Sequence, residues 1–306
     1  MKHVAVLMGG FSTERQVSLS SGDACASGLE SAGYQVTRID VTRDIYNVLE
    51  SLKPDVVFNA LHGPYGEDGL IQGVLEYLEL PYTHSGVMAS AIAMNKEVSK
   101  RIAKSAGIPV AASLVTDRLA AAEKHLMTPP YVIKPVSEGS SFGVLIVRED
   151  MSKPPQELYS ESWPYGERIM LEKYVAGREL TCAVMGNVAL GVTEIVTKDG
   201  EWYDFDAKYA FGGSKHECPA EIKRNIYQKI QTLSLKAHQV MGCRGVSRSD
   251  FRLDDGPMGT GELVWLELNN QPGMTPTSLV PELAAHAGHS FEELLSWMVE
   301  DASCCR

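Results

Sequence analysis

Residues Val4 to Ile39 read VAVLMGGFSTERQVSLSSGDACASGLESAGYQVTRI, and this stretch decides the class of fold. An apolar run from Val4 to Met8, a helical pattern from Val17 to Ala32 stopped at Gly33, and a second run from Tyr34 to Ile39 make one βαβ unit. Asp44 to Leu52 adds a helix and Asp55 to Ala60 a further strand, so the rhythm is βαβαβ. Such alternation favours a parallel sheet with helices on both faces, and ligands of these sheets collect in the loops beyond the carboxyl ends of the strands. Here those loops are Gly9 to Arg15 and Leu61 to Gly69. The first sits where a dinucleotide fingerprint would sit, but its glycines lack the GxGxxG spacing. Ser12 or Thr13 is a candidate helix cap and Glu14 complements the helix dipole. A capped turn with no ligand explains that stretch equally well.

Outward from this unit the chain runs to 306 residues with 28 Lys plus Arg against 39 Asp plus Glu, a formal charge of −11. That acidity opposes approach to nucleic acid or an anionic membrane, although a small anion can still be held in a locally basic pocket. The length exceeds what one hydrophobic core usually serves, so two or three subdomains are expected. No window reaches the roughly 18 apolar residues of a membrane span, and the N-terminal apolar run is too short for a signal peptide; a cytoplasmic enzyme is the expectation. Cys25, Cys182, Cys218, Cys243, Cys304 and Cys305 show no CxxC pair, which reads as reduced thiols rather than a disulfide frame or metal knuckle.

Asn95 to Ala106 forms a charged amphipathic helix before Gly107, and a small α+β unit follows, with strands at Tyr131 to Lys134, Val144 to Val147 and Arg168 to Tyr174 and a helix at Asp117 to His125. The remainder has strands at Glu179 to Met185 and Val188 to Val196, a polar loop from Thr197 to Pro219, and a helix at Ala220 to Met241. Strands ending at Asp250 to Leu253 and Leu263 to Leu268 precede two closing helices.

Two further segments carry chemistry. In Lys134-Pro135-Val136-Ser137-Glu138-Gly139-Ser140-Ser141-Phe142-Gly143-Val144 a strand delivers a lysine and a Gly/Ser loop follows. Its backbone amides can fold over phosphates with Lys134 as a point charge; an ordinary flexible hairpin has the same composition, and the Walker pattern is absent. In Arg248-Ser249-Asp250 and Glu267-Leu268-Asn269, period-two alternation puts Arg248 with Asp250, and Glu267 with Asn269, on one face of each strand. Paired, they gather hard oxygen ligands of the kind Mg²⁺ uses beside a nucleotide. A surface salt-bridge cluster would be worth little; Glu267 lies in the apolar run Leu263-Val264-Trp265-Leu266, which favours metal ligation.

Taken in order, these features make the chain resemble the ATP-grasp superfamily and, within it, the D-alanyl-D-alanine ligase family. The likeness runs nearly end to end, through MGGFSTERQVS (8–18), LHGPYGEDG (61–69), HSGVMASAIAMNK (84–96), KPVSEGSSFGV (134–144), WYDFDAKY (202–209), GVSRSDF (245–251) and LELNNQPGMTPTSLVP (266–281). The resemblance implies an ATP-grasp architecture of mixed α/β and α+β class: an N-terminal Rossmann-like parallel-sheet subdomain over 1–95, and two α+β subdomains over 96–177 and 178–306 clasping ATP. It implies ligation of two D-alanines through an acyl phosphate, for peptidoglycan precursors, with ATP and two Mg²⁺ or Mn²⁺ ions, and a homodimer.

Site roles follow by the same resemblance. Glu14, linked to Ser140 and Tyr209, matches the holder of the first D-alanine's ammonium, with His62 near that substrate. Lys96, Lys134 and Lys208 match phosphate-binding lysines, with Ser141 in the covering loop. Glu172, Lys173, Tyr174 and Val175 match the hinge that reads adenine, and Glu179 the ribose carboxylate. Asp250, Glu267 and Asn269 match metal ligands, Arg248 and the Gly273 amide the oxyanion stabilisers, and Ser278 and Leu279 the grip on the second D-alanine's carboxylate. The loops 139–143 and 197–219 are the candidate lids.

Many family members carry Thr-Ser where this chain has Asn270-Gln271, so loop polarity there is in question. Relatives that use D-lactate tend to have Phe at the position of Tyr209, so Tyr209 points to the dipeptide. The alternatives are a D-alanine:D-lactate or other ATP-grasp carboxylate ligase and, from another class, a two-lobed solute-binding protein in which Asp250, Glu267 and Asn269 would be idle. His3, His84, His125, His216, His238, His286 and His289 read as surface or packing residues, Met8, Met88 and Met94 as core fillers, and Lys100, Arg101 and Lys104 as the solvated face of their helix. Trp202 and Tyr203 either line the nucleotide pocket or anchor their loop.

Overall fold

The structure is a computed structural model that describes residues 1–139, 142–197, 214–256, 259–275 and 277–305. Strands β1 (His3–Met8), β2 (Gln35–Asp40) and β3 (Val56–Asn59) form a three-stranded parallel sheet in the order β2-β1-β3. The expected βαβαβ unit is therefore present, with α1 (Arg15–Ser31) and α2 (Ile45–Leu52) as its crossovers. Parallel strands need both faces covered, and β1 divides its side chains accordingly. Val4 and Val6 pack with Cys25, Ala26 and Leu29 of α1, while Ala5 and Leu7 pack with Ile45 and Leu49 of α2 and with Ile71 and Leu75 of α3 (Leu70–Tyr77). Helix α4 (Val87–Met94) runs into α5 (Lys96–Ser105), whose N-cap Asn95 accepts a hydrogen bond from the Val98 amide at 3.1 Å.

A second, four-stranded antiparallel sheet has the order β4-β7-β5-β6, built from β4 (Ser113–Asp117), β5 (Tyr131–Pro135), β6 (Leu145–Val147) and β7 (Arg168–Lys173). One face carries Ile133, Ile169 and Leu171 against α6 (Arg118–Glu123). Strand β4 lay outside the sequence expectation because its run, Ser-Leu-Val-Thr-Asp, is only half-buried and lacks a clean alternation.

The third sheet is five-stranded and antiparallel, in the order β10-β9-β8-β11-β12: β8 (Arg178–Met185), β9 (Val188–Thr197), β10 (Ser214–Glu217), β11 (Val246–Leu253) and β12 (Leu263–Asn269). Leu180, Cys182 and Val192 meet Ile230, Leu233 and Ala237 of α7 (Arg224–Val240) on one side. On the other, Ala183 and Met185 join α8 (Leu279–His286) and α9 (Phe291–Asp301) in the same cluster as Val4, Val6, Val56 and Phe58. One sheet falls in each of the segments 1–95, 96–177 and 178–306, yet this core spans the first and the last. Strand β10 lies within the stretch expected to be loop. Among the described residues no cysteine is in a disulfide, and no helix is long and apolar enough to cross a membrane.

Helix α1 lies so close to β1 that a Cβ added to Gly22 would come 2.4 Å from the Cβ of Met8. In an exposed helix Gly→Ala gains about 1 kcal/mol. At Gly22 the overpacking term, roughly 1–3 kcal/mol, dominates, so Gly22→Ala is expected to lower the melting temperature; thermal unfolding checks this, and a higher value would mean that α1 can shift off the strand.

Candidate active site

The site is a cavity of ≈ 690 Å³ between the parallel sheet and the five-stranded sheet, lined among others by Glu14, His62, Glu67, Lys96, Glu138, Arg248, Glu267, Asn269, Gly273 and Ser278. The strand pair β11–β12 supplies its floor. Antiparallel register places Arg248 opposite Asn269 and Asp250 opposite Glu267, as the alternation predicts. The Arg248 guanidinium donates through Nε to Asp250 Oδ1 at 2.9 Å and through NH2 to Oδ2 at 2.8 Å, a bidentate pair. Thr181 Oγ1 donates to the same Oδ1 at 2.6 Å, and Lys96 Nζ lies 3.5 Å from Glu267 Oε2.

Among the described residues no group of three or more His, Cys, Asp or Glu side chains forms a complete metal cage. The donor set still fits a hard divalent cation. Asp250, Glu267 and Asn269 offer oxygen only, from adjacent strands, and nucleotide phosphates with water would complete the sphere.

The opposite wall comes from the first loops of the parallel sheet. Glu14 is the residue preceding α1 and is 4% exposed. Helix α1 has no side-chain cap at its own start, so the expected cap is not made there; Ser12 Oγ accepts from the Glu14 amide at 3.2 Å just ahead of the helix and donates to the His62 carbonyl at 2.6 Å. Ser12 therefore ties the two ligand-facing loops together. His62 is buried with its Nε2 3.2 Å from Ser21 Oγ. Burial, with the Arg248 charge adding and the Gln271 backbone opposing, drops its pKa to about 4, so the ring is neutral at pH 7.

Glu67 lines the cavity and was missed in the sequence, where it is only one acid within LHGPYGEDG. Its Oε1 accepts from the Gly63 amide at 2.7 Å. Burial first, then the Glu14 charge, lifts its carboxyl to about 8. A Cβ on Gly139 would meet Glu14 Oε1 at 2.8 Å, so the glycine lets the Gly/Ser loop approach the carboxylates.

The far end of the cavity holds Gly273, Ser278 and Leu279. Ser278 precedes α8, and its Oγ accepts from the Thr275 amide at 3.0 Å. His216, expected as a surface or packing residue, also lines this end, with Nδ1 3.3 Å from Glu282 Oε2. Of the expected core-filling methionines, Met8 is buried, Met88 is 69% exposed, and Met94 lines the cavity. Asn270 and Gln271, the departure from Thr-Ser, are both buried: Asn270 Nδ2 donates to Ser90 Oγ at 2.8 Å, and Gln271 Oε1 accepts from Asn59 Nδ2 at 2.8 Å. Both hold the loop, and Asn270 also lines the cavity.

Most of the residues expected at the nucleotide lie on or just after strands of the four-stranded sheet, and Glu179 on β8. Lys134 and Glu172 point away from the core of Ile133 and Leu171, and Lys134 Nζ donates to Glu172 Oε2. Lys100 forms a second ion pair with Glu172 and is 4% exposed, which overturns its reading as a solvated residue; Arg101, with a side chain 75% exposed, keeps that role. Lys173 is not brought into the cavity: its ammonium lies 3.2 Å from Glu262 at the exposed rim. The Lys173 and Tyr174 amides donate to the Ala112 and Pro130 carbonyls. The Val175 carbonyl accepts from Arg252 Nε at 3.1 Å, and Arg252 NH1 donates to Glu179 at 3.2 Å. Ser140, Ser141, Lys208 and Tyr209, with Trp202 and Tyr203, lie outside the described residues.

With this geometry in place, comparison with known proteins is decisive. The D-ala D-ala ligase C-terminus family matches residues 102–300 and the corresponding N-terminus family residues 45–85. The chain belongs to the D-alanine–D-alanine ligase family. It is 70% identical over 305 residues to D-alanine–D-alanine ligase B of Mesorhizobium japonicum, covering 100% of this chain and 99% of that one. It is 68% identical to the D-alanine–D-alanine ligase of Rhizobium meliloti at the same coverage. Among solved structures it resembles the ATP-complexed D-alanine–D-alanine ligase of Bacillus anthracis, with a TM-score of 0.82, 28% identity and 98% and 97% of the two chains covered. It also resembles the VanG D-Ala:D-Ser ligase of Enterococcus faecalis, with a TM-score of 0.79, 29% identity and 98% of each chain covered. The architecture is that of the ATP-grasp family members.

Two buried groups in this site link folding to pH with opposite signs. His62, depressed from 6.5 to about 4, contributes stability that is present above pH 6.5 and is lost as pH falls through 4. Glu67, raised from 4.5 to about 8, contributes stability that is present below pH 4.5 and is lost as pH rises through 8. Of these two groups, Glu67 is the one that still differs between the folded and unfolded states from about pH 6.5 to 8. Urea unfolding across that window is expected to show declining stability in the native protein and a flatter profile in Glu67→Gln; equal slopes would refute a raised Glu67.

Proposed function

We propose that this family member joins two D-alanines into D-alanyl-D-alanine at the expense of ATP, supplying peptidoglycan precursor synthesis. The observation that carries the reading is the convergence of Arg248, Asp250, Glu267 and Asn269 on the β11–β12 floor opposite Glu14 and His62. One wall offers carboxylate and neutral imidazole for an amino acid; the floor offers oxygen ligands and cations for a phosphorylated one.

A carboxylate is a poor electrophile, so amide formation in water needs it activated. Transfer of the γ-phosphoryl group of ATP to a carboxylate oxygen of the first D-alanine yields ADP and an acyl phosphate. The second D-alanine, as the free amine, then attacks the acyl carbon, and the tetrahedral adduct expels phosphate. Bound Mg²⁺, two ions in this reading, would neutralise phosphate charge during the transfer, held by Asp250, Glu267 and Asn269.

The chain's own residues do the rest. Glu14 holds the first substrate's ammonium, and His62, unable to protonate at neutral pH, adds hydrogen bonding without cationic repulsion of that group. Lys96 and Lys134, with Lys208, take the phosphates, and Glu179 the ribose. Arg248 and the Gly273 amide receive the oxyanion. Ser278 and the Leu279 amide, at the start of α8, grip the second substrate's carboxylate, where the helix dipole favours negative charge. The reading includes a homodimer acting in the cytoplasm.

ADP release is expected only with D-alanine and a divalent cation both present; turnover with L-alanine but not the D isomer would sink the reading. Arg248→Met is expected to lower kcat by about 10²–10³-fold, as loss of an oxyanion donor does, and Glu267→Gln to abolish turnover. A solute-binding protein would keep its ligand affinity in Glu267→Gln. Product analysis with D-lactate over a pH series separates the D-alanine:D-lactate alternative.

A further inference from the structure

Helix α5 delivers two ammonium groups from one face, because Lys96 and Lys100 are four residues apart. Lys96 reaches Glu267 on β12, whereas Lys100 is turned inward to Glu172 on β7 and lies 5.7 Å from the ring centroid of Trp265. Lys100, Lys134 and Glu172 are 4%, 6% and 1% exposed, so the cluster is two cations and one anion withdrawn from water. The Glu172 carboxylate is divided between them: Oε1 lies against Lys100 and Oε2 against Lys134.

We infer that Lys100 is a positioning residue for ATP: by occupying one oxygen of Glu172 it prevents that buried carboxylate from neutralising Lys134, and so preserves the cationic field that binds the nucleotide's phosphates. The inference rests on the reading that Lys134 is a phosphate ligand. Lys134 feels Glu267 and Glu179 as well as Glu172, which sets it between the metal-binding floor and the residue assigned to the ribose. Without Lys100 the existing contact between Lys134 and Glu172 would be a one-to-one pair of zero net charge. With Lys100 the three groups sum to one positive charge, at an effective dielectric where such a difference is felt across several ångströms.

The electrostatic account has a signature that mere structural support lacks, since the effect must grow with the charge on the ligand. Equilibrium binding of adenosine, AMP, ADP and ATP to the full chain reads it directly. In Lys100→Met, whose side chain still packs on Trp265, ATP affinity is expected to fall about tenfold, equivalent to ~1.4 kcal/mol, with adenosine changed less than twofold. Lys100→Arg restores ATP binding to within about threefold. Steady-state kinetics follow: KM for ATP rises while KM for D-alanine is unchanged. The Lys100→Met/Glu172→Gln pair, which again leaves Lys134 as the net charge, binds ATP more tightly than Lys100→Met alone.

An equal loss for adenosine and ATP, or ATP affinity within twofold of the native protein, overturns the inference. Should Lys100→Met not fold, Glu172→Gln alone decides: its preference for ATP over adenosine is retained or increased if the carboxylate is what threatens Lys134, and a decrease overturns the proposal. Lys134→Met is the control. Loss of ATP binding there with none in Lys100→Met defeats only the role of Lys100, whereas intact ATP binding in Lys134→Met defeats the phosphate assignment beneath it.

Discussion

The register between β11 and β12 governs what every other part of the site can do. Asp250 faces Glu267, but Phe251 faces Trp265, so Leu266 is an extra residue in β12. Without that bulge Trp265 would share the face of Glu267 and Asn269 and put an indole in the cleft. With it Trp265 turns into the core, where it packs with Phe251 and Leu268 and its Nε1 donates to Ser249 Oγ at 3.1 Å. The bulge thus lets one short strand serve two masters: a hydrophobic layer up to Trp265, then cavity-facing oxygen atoms from Glu267 onward. Bulges beside active sites commonly re-aim side chains in this way.

That floor creates an electrostatic demand the chain meets locally. The protein carries a formal charge of −11, yet Arg248 clasps Asp250, Lys96 approaches Glu267, and two lysines share Glu172. Burial alone would favour neutral forms. It succeeds for His62 and Glu67; Lys100 is lowered by burial but pulled back by the Glu172 charge, and Glu172 is held below the usual carboxylate range because Lys100 and Lys134 outweigh its desolvation. The protein accordingly contains both kinds of buried acid: Glu67 in the cavity wall, protonated near neutrality, and Glu172 on β7, ionised. Their difference lies in neighbours, another carboxylate in the first case and two ammonium groups in the second.

Much of this was legible in the sequence where a residue's role depends on its own strand or loop. The βαβαβ rhythm, the alternation of Arg248 with Asp250 and of Glu267 with Asn269, and the lysine-then-glycine pattern after Lys134 need only local periodicity. What escaped depends on partners far along the chain. Lys100 looks solvated beside Arg101 and Lys104 because nothing near it reveals Glu172, which arrives on β7. His216 becomes a lining residue only because β10 pairs with β9 and brings it against Glu282 of α8. Ser12 has the composition of a helix cap, and its hydroxyl accepts the Glu14 amide, but its second bond, to the His62 carbonyl in the loop after β3, depends on a partner far along the chain. The bulge at Leu266 has no glycine to mark it.

The Asn270-Gln271 departure shows how such a site tolerates sequence change without losing its chemistry. Gln271 is 1% exposed; its amide oxygen accepts from Asn59 at the end of β3 and its amide nitrogen donates to the Leu61 carbonyl. Asn270 reaches Ser90 on α4. Both side chains therefore secure the turn that leads from Asn269 to Gly273 against the parallel-sheet lobe, and Asn269 Oδ1 braces it from within by accepting the Gln271 amide at 2.8 Å. The same two lobes already share one core through Val4, Val6, Phe58, Ala183, Val280 and Leu295. The wall of the cavity that carries Glu14 and Gly273 is thus framed by one continuous packed body, while Ile133, Ile169 and Leu171 beneath Lys134 and Glu172 belong to a separate core. Amine and acyl carbon must meet within a few tenths of an ångström of the productive geometry, and the tolerance is tightest where the packing is shared.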